Sequence, residues 1–184
     1  DRLKFREGVR WVQICADLLN AIYDLDMYDF RTWRIAFQVL PHLRTITDWA
    51  EKYKVEGEAV ASLNNTLGLY LRVVVGDYIG ARPYYERALT ATEKTLGPDH
   101  PLTAITLNNQ GALLQAVGNY AAARPYLERA LAIREKALGP DHPDTAVSLN
   151  NLANLLQSMG EYAKARPYYE RALDVYEKAL GPDL

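Results

Sequence analysis

A period of 42 residues runs through this chain and restricts it more than any single motif does. Residues 76–101 read GDYIGARPYYERALTATEKTLGPDHP, residues 118–143 read GNYAAARPYLERALAIREKALGPDHP, and residues 160–183 read GEYAKARPYYERALDVYEKALGPD. Between 103–142 and 145–184, 26 of 40 positions are identical. A unit that recurs this closely must bury the same face against each neighbour, so the chain reads as an array and not as one closed core. The period also reaches further back. Pro41 is in step with Pro83, Pro125 and Pro167, and Glu51-Lys52 is in step with Glu93-Lys94, Glu135-Lys136 and Glu177-Lys178. Residues 1–58 are therefore read as a diverged first unit, followed by units at 59–102, 103–144 and 145–184.

Each unit reads as two helices. Leu149, Leu152, Ala153 and Leu156 recur at helical spacing, and a second run from about Tyr162 to Leu180 puts Tyr162, Ala165, Tyr169, Ala172, Leu173 and Tyr176 on one apolar side. Tyr78, Tyr120 and Tyr162 are expected at a repeated core position. Gly181-Pro182-Asp183 closes the last helix, because glycine caps a C-terminus well and proline cannot continue it. At the next start, Asp141 is the expected N-cap, Pro143 suits the first turn, and Asp144 faces the positive helix end. No stretch alternates with period two for long enough to suggest a strand. The fold class is all-α, about eight helices in four antiparallel pairs. Pro83, Pro125 and Pro167 fall inside second helices, where each removes a backbone donor and should bend or weaken the first turn. Leu63-Asn64-Asn65 lies 44 residues before Leu107-Asn108-Asn109, whereas Gly76 lies 42 before Gly118. Two extra residues are thus expected around Leu67 to Val75, absorbed by a bulge, a longer helix or a longer turn.

Gly111, Gly118, Tyr120, Ala123, Leu127 and Ala130 resemble the tetratricopeptide repeat pattern, as do Ala153, Gly160, Tyr162, Ala165, Tyr169 and Ala172. The 42-residue length, the Leu-Gly-Pro-Asp-His-Pro linker and Leu149-Asn150-Asn151-Leu152-Ala153 are similar to the kinesin-light-chain type of that repeat. The resemblance implies an α-solenoid with a right-handed superhelical course, whose first helices line a concave face. Trp33, Ala36, Leu40-Pro41-His42-Leu43 and Trp49-Ala50-Glu51 resemble the segment that opens the repeat array in bacterial STAND ATPases with an NB-ARC-like domain. No GxxxxGK[ST] loop is present in this sequence, so such a motor would lie elsewhere.

The composition narrows the partners. Lys+Arg number 21 against 23 Asp+Glu, a net charge of −2, and without a basic excess nucleic acid is not an expected partner. No apolar run is long enough to span a membrane. The single cysteine, Cys15, rules out an internal disulfide, which fits a reducing cytoplasm. It follows Trp11 and Val12 on an apolar helix and is read as packing. His100 and His142 lie one repeat apart, too distant to share a metal, and are read as linker packing or helix-start hydrogen bonds. Asn64-Asn65-Thr66 fits the glycosylation sequon but lies inside a predicted helix. No nucleophile–base set, carboxylate pair or metal cluster can be assembled, so neither an enzyme nor a cofactor is expected.

The candidate site is a peptide-binding groove. Asn150, Asn154 and Gln157 share a face away from the leucine stripe, and Asn108 and Gln115 take equivalent places one unit earlier, with Ala112 between them. Amides carry donors and an acceptor, so a row of them can pair with an extended peptide backbone, and Ala112, Val147 or Tyr70 could add apolar selectivity. All five amides are expected to be partly exposed and to need no partner within the chain. Asn109 and Asn151 point about 100° away and are read as structural. Arg82, Arg124 and Arg166, each four residues from Glu86, Glu128 and Glu170, are read as solvated surface pairs. The expected function is a protein- or peptide-binding module, the sensor or scaffold part of a larger bacterial signalling protein. The alternatives are a homotypic assembly module and an adaptor for an enzymatic domain. The chain starts at Asp1 and stops at Leu184, where earlier units continue into another helix. It is expected to be a piece of a longer protein whose last helix, through Tyr169, Val175, Tyr176 and Leu180, self-associates end to end.

Overall fold

The structure, a computed structural model, describes residues 2–22, 31 and 33–180. The expected helix end at Gly181-Pro182-Asp183 and the side chains of Trp33, Ala36 and Leu180 lie outside the described residues. Among those described there are eight α-helices and no strand: α1 (Arg2–Ile22), α2 (Trp33–Tyr53), α3 (Glu58–Tyr70), α4 (Tyr78–Thr95), α5 (Pro101–Ala116), α6 (Tyr120–Leu138), α7 (Pro143–Ser158) and α8 (Tyr162–Leu180). They divide into two compact units, Asp1–Gly97 and Pro98–Leu184. In the first, Val12 and Ala16 of α1, Val39, Leu43, Ile46 and Ala50 of α2, and Val60 and Leu63 of α3 form one buried cluster. Cys15 packs against it, in keeping with its structural reading. In the second, Leu114, Ala123, Leu127 and Leu131 join Leu149, Leu152, Ala153 and Leu156 with Ala165, Ala172 and Val175.

The helix pairs close on small residues. A Cβ added to Gly111 would stand 2.5 Å from the Leu127 side chain, and one added to Gly68 would stand 2.8 Å from the Tyr85 ring. Tyr85 and Leu127 are 42 residues apart, but Gly68 and Gly111 are 43 apart. Burial follows the same register: Val60, Ala61, Tyr70 and Leu71 correspond to Thr103, Ala104, Leu113 and Leu114, all buried. The extra length near the end of α3 is therefore one residue, not two. It is taken up as a π-helical turn over Leu71–Val75. The backbone bond that closes the helix runs from Asp77 N to Leu71 O, six residues, where Asn119 N to Leu114 O and Glu161 N to Leu156 O span five. A π-turn is the usual way for a helix to hold one inserted residue. The second apparent insertion is a slip of the motif: Asn65, not Asn64, takes the register position of Asn108.

Capping differs from expectation at one residue. His100 and His142 are the N-caps of α5 and α7, each accepting through Nδ1 from the backbone N–H two residues on, Leu102 and Asp144. Asp141 is not the cap; its carboxylate pairs with Lys178 at 2.9 Å. Proline at the first helical position brings the histidine ring over that first N–H. Pro41 also lies inside a helix, α2, and the three prolines inside α4, α6 and α8 are tolerated for a simple reason. The carbonyl each one deprives of a donor belongs to Ile79, Ala121 or Ala163, and all three residues are exposed, so water can replace the lost bond. Tyr78 and Tyr162 are exposed, the latter by 68%, and Tyr120 is half-buried. This is not the core position expected. The true second-helix core is Ala81, Tyr85 and Ala88 in α4 and Ala123, Leu127 and Ala130 in α6. Likewise Val175 is buried while Leu173 is exposed, which removes Val175 from the apolar strip proposed for the last helix.

Deleting one residue of the π-turn, Val73, should restore α-helical pairing and leave a cooperative melt within a few degrees of the parent. Deleting Leu113 from α5, which has no residue to spare, should abolish the cooperative transition. Thermal melts followed by circular dichroism at 222 nm check both.

Candidate functional site

The amide face lies in the second unit, on α5 and α7, the first helices of successive repeats. These two helices are tied side by side: Asn108 Nδ2 donates to Ser148 Oγ at 2.8 Å, and Gln115 Nε2 donates to Ser158 Oγ at 2.9 Å. The two bonds fix the register, because 40 and 43 residues separate their partners.

Asn108 is only 4% exposed, so it is a strut between helices and not a contact for a ligand. The residue types misled here: one face of α5 is covered by α7, and the more exposed positions begin about 20–40° round the helix, at Gln115 and Ala112. Ser148 also receives Arg134 NH1 at 3.1 Å, and the same nitrogen donates to Asp144 O at 2.6 Å. Arg134 is itself buried. Loss of water around the guanidinium is the main effect and pulls its pKa below the ordinary value, while Asp144 and then Tyr176 push it back up. Arg134, Ser148 and Asn108 thus form a buried polar chain from α6 through α7 to α5, which sequence reasoning missed. The signal available was the run of Thr92, Arg134 and Tyr176 at one repeat position, which is too varied in chemistry to be read as a buried polar site.

Tyr70 belongs to the first unit and is 1% exposed, with Phe37 edge-on at 5.8 Å. It is core. Burial pushes its phenol pKa up. The sequon asparagine Asn64 is buried as well and offers no acceptor to a glycosylating enzyme.

The remaining six residues do share an accessible face. Val147 is 39% exposed, Gln157 is exposed, and Ala112, Gln115, Asn150 and Asn154 are half-buried. Three of the amides, Gln115, Asn154 and Gln157, have partners within the chain, against the expectation that they need none. The Tyr169 hydroxyl lies 2.6 Å from both Asn154 Oδ1 and Gln157 Oε1. A phenol has one proton, so it donates to one oxygen, and the other amide turns to present its NH2. Burial raises the Tyr169 pKa, which keeps that proton in place. Asn150 alone among the five amides has no side-chain hydrogen bond within the described residues. The surface pairs Arg82–Glu86, Arg124–Glu128 and Arg166–Glu170 form at 2.6–2.9 Å and are solvent-exposed. No group of three His, Cys, Asp or Glu among the described residues could hold a metal.

Asn108→Ala should destabilise the second unit by about 1–3 kcal/mol, since it leaves α5 and α7 without their buried bridge. Arg134→Ala should cost about 3 kcal/mol through lost packing and stranded acceptors. Urea titrations of each variant, and of the pair, measure these losses. The double variant should cost less than the sum, because both donors meet at Ser148.

No curated protein matches this sequence. Among solved structures, BtubC (BKLC) from P. vanneervenii matches over 98% of this chain and 73% of its own, with 23% identity and a TM-score of 0.74. A Podosopora anserina protein described as a kinesin light chain with nearly identical TPR-like repeats matches over 98% of this chain and 90% of its own, with 19% identity and a TM-score of 0.64. At these identities the likeness speaks for the fold. The tetratricopeptide repeat family model matches residues 58–136 and again 103–178, more than half of the sequence, and the close helix pairs seated on Gly68 and Gly111 are its packing. The chain belongs to the tetratricopeptide repeat family.

Proposed function

We propose that this chain is a protein-binding repeat module, and that the α5–α7 face of the second unit receives an extended peptide. Repeats of this family in general mediate protein–protein interaction. The observation that carries the reading is the pre-set amide row. Gln115, Asn154 and Gln157 are each held by a partner behind them, Ser158 or Tyr169, and Asn150 stands half-exposed among them with its amide uncommitted. Anchored side chains lose little entropy when a ligand arrives. An amide bonded once still has donors and lone pairs for a peptide backbone. Ala112 and Val147 add small apolar contacts at the edge.

We further propose that the module serves as the sensor or scaffold part of a larger bacterial signalling protein of the STAND type, working in the cytoplasm. Support comes from the likeness of residues 1–58 to the opening of such arrays, and from α1 and α2 sharing a buried cluster with α3. The surrounding reading frame tests this: a P-loop upstream is expected, and its absence from the encoded protein would sink the signalling reading while leaving peptide binding to stand.

Asn150→Ala should weaken a bound peptide by about 1 kcal/mol, roughly fivefold, with an unchanged melting temperature. Peptides selected from a random display library supply the ligand, and isothermal titration the affinity. A large loss of stability in Asn150→Ala, or selected peptides indifferent to Asn150 and Gln157, would move the binding face elsewhere.

A further inference from the structure

Each helix pair of a repeat array has two working faces, one that receives the pair before it and one that receives the pair after it. Filled examples of the first face occur in both units. Ser148 and Leu155 of α7 are fully buried, Ser148 under Asn108 of α5 and Arg134 of α6, and Leu155 in the cluster with Leu114 and Leu131. Leu63 and Tyr70 of α3 are buried in the same way, Leu63 in the cluster with α1 and α2, and Tyr70 against Phe37 and Leu40 of α2.

α1 carries the same face unfilled. It closes on α2 as the other pairs close, since a Cβ on Gly8 would stand 2.7 Å from the Tyr53 ring. Buried Ala16 stands for Gly68, Gly111 and Ala153, and Val12, one turn earlier, is buried as Asn64, Leu107 and Leu149 are. In that register Trp11 takes the place of Leu63 and Ser148, and Leu18 that of Tyr70 and Leu155. Yet Trp11 is 63% exposed, Leu18 53%, and Ile14 between them 36%. Spaced three and four residues apart, they form one apolar stripe.

α8 carries the opposite face, also unfilled. Leu131 and Arg134 of α6 are 8% and 5% exposed; at the same places in α8, Leu173 is 56% exposed and Tyr176 half-buried. A recurring bridge is half-made as well. Arg87 pairs with Glu51 and Arg171 with Glu135, each from one second helix to the next. Glu177, at the place of those two glutamates, is exposed and has no ion pair among the described residues.

We propose that these two faces meet between copies of this chain: α8 of one copy docks on α1 of the next, head to tail, and repeats the contact that α6 makes with α7. The occupant is a second copy because both halves of one contact stand open on the same chain, apolar against apolar. Arg134 reaches the backbone of Asp144 and the hydroxyl of Ser148, so Tyr176 in its place falls on Glu7 and Trp11 of the next copy, with Leu173 alongside. Glu177 falls beside Arg44 of α2, which is exposed and one residue from the place of Arg87 and Arg171. A contact between two different faces does not close on itself, so it builds an open row and not a symmetric dimer. It also covers Asn150, which stands at the place of Asn108, so a peptide held there competes with assembly. The contact itself does not depend on the peptide-binding reading.

Sedimentation equilibrium of the full chain tests this. The average mass of the parent should climb from one chain towards several between about 10 and 500 µM, with no stop at the dimer. Trp11→Glu and Leu173→Glu each put a charge into the contact and should each keep the chain monomeric. Both residues are exposed, so the melting temperatures should stay at the parent's, and Leu18→Glu is a second block of the α1 face. Mixed in equal amounts, Trp11→Glu and Leu173→Glu retain one sound face each and should form a one-to-one dimer that grows no further. A parent that stays monomeric over the whole range, a parent that stops at the dimer, or single variants that assemble as the parent does would overturn the proposal. So would a mixture that stays monomeric while the parent assembles.

Discussion

The structure depends on one steric fit: a missing or minimal side chain on each first helix lets a large residue of the second helix seat against backbone. Gly68 takes the Tyr85 ring and Gly111 takes the Leu127 side chain, each at a distance that a Cβ would violate. In the last pair Ala153 is fully buried, and Tyr169, at the place of Leu127, is only half-buried, with its hydroxyl over Asn154 and Gln157. Close approach of the two helices brings buried Ala81, Ala88, Ala123 and Ala130 into dense packing, where dispersion and apolar burial act together. With each pair set at a fixed separation, the polar bridges across helices meet their partners without adjustment.

Those bridges sort into two kinds with different consequences. Along the second helices, Lys94–Glu56, Lys136–Asp99 and Lys178–Asp141 recur at 2.6–2.9 Å between one helix and the linker or helix end before it. They are solvated, so screening by water leaves each a minor contributor to stability. Hydrogen bonding to Lys136 and its charge hold the Asp99 carboxyl below the usual carboxylate range, and hydrogen bonding to Asp141 and its charge raise Lys178. The Arg134–Ser148–Asn108 chain is buried instead. Breaking it strands polar atoms in a low-dielectric interior, so it holds the register of α5 against α7 and with it the spacing of the amide face.

The fold was legible because its determinants are periodic. Leu149, Leu152, Ala153 and Leu156 announce their stripe, and the 42-residue recurrence of Tyr85 and Leu127 with Ala81, Ala88, Ala123 and Ala130 marks the pair closure. The site was legible only in part. Periodicity says which way Asn108 points from its helix axis, but not that α7 covers that side; the covering residue is Ser148, a whole repeat away. Tyr70 failed for a related reason: at the 42-residue period it takes the place of Ala112, but the extra residue in the π-turn after it puts it at the place of Leu113, which is buried.

The steric fit is open to a direct measurement by a double-mutant cycle on Gly111 and Leu127. Gly111→Leu places a side chain where the nearest Leu127 atom leaves 2.5 Å, and should destabilise the second unit by about 1–3 kcal/mol or more. Leu127→Ala opens a cavity and should cost about 2–5 kcal/mol alone. Combined, the two should relieve each other, with urea-determined stabilities giving a total loss at least about 1 kcal/mol smaller than the sum. Strictly additive losses, or a Gly111→Leu variant as stable as the parent, would show that the helix pairs do not close on this contact.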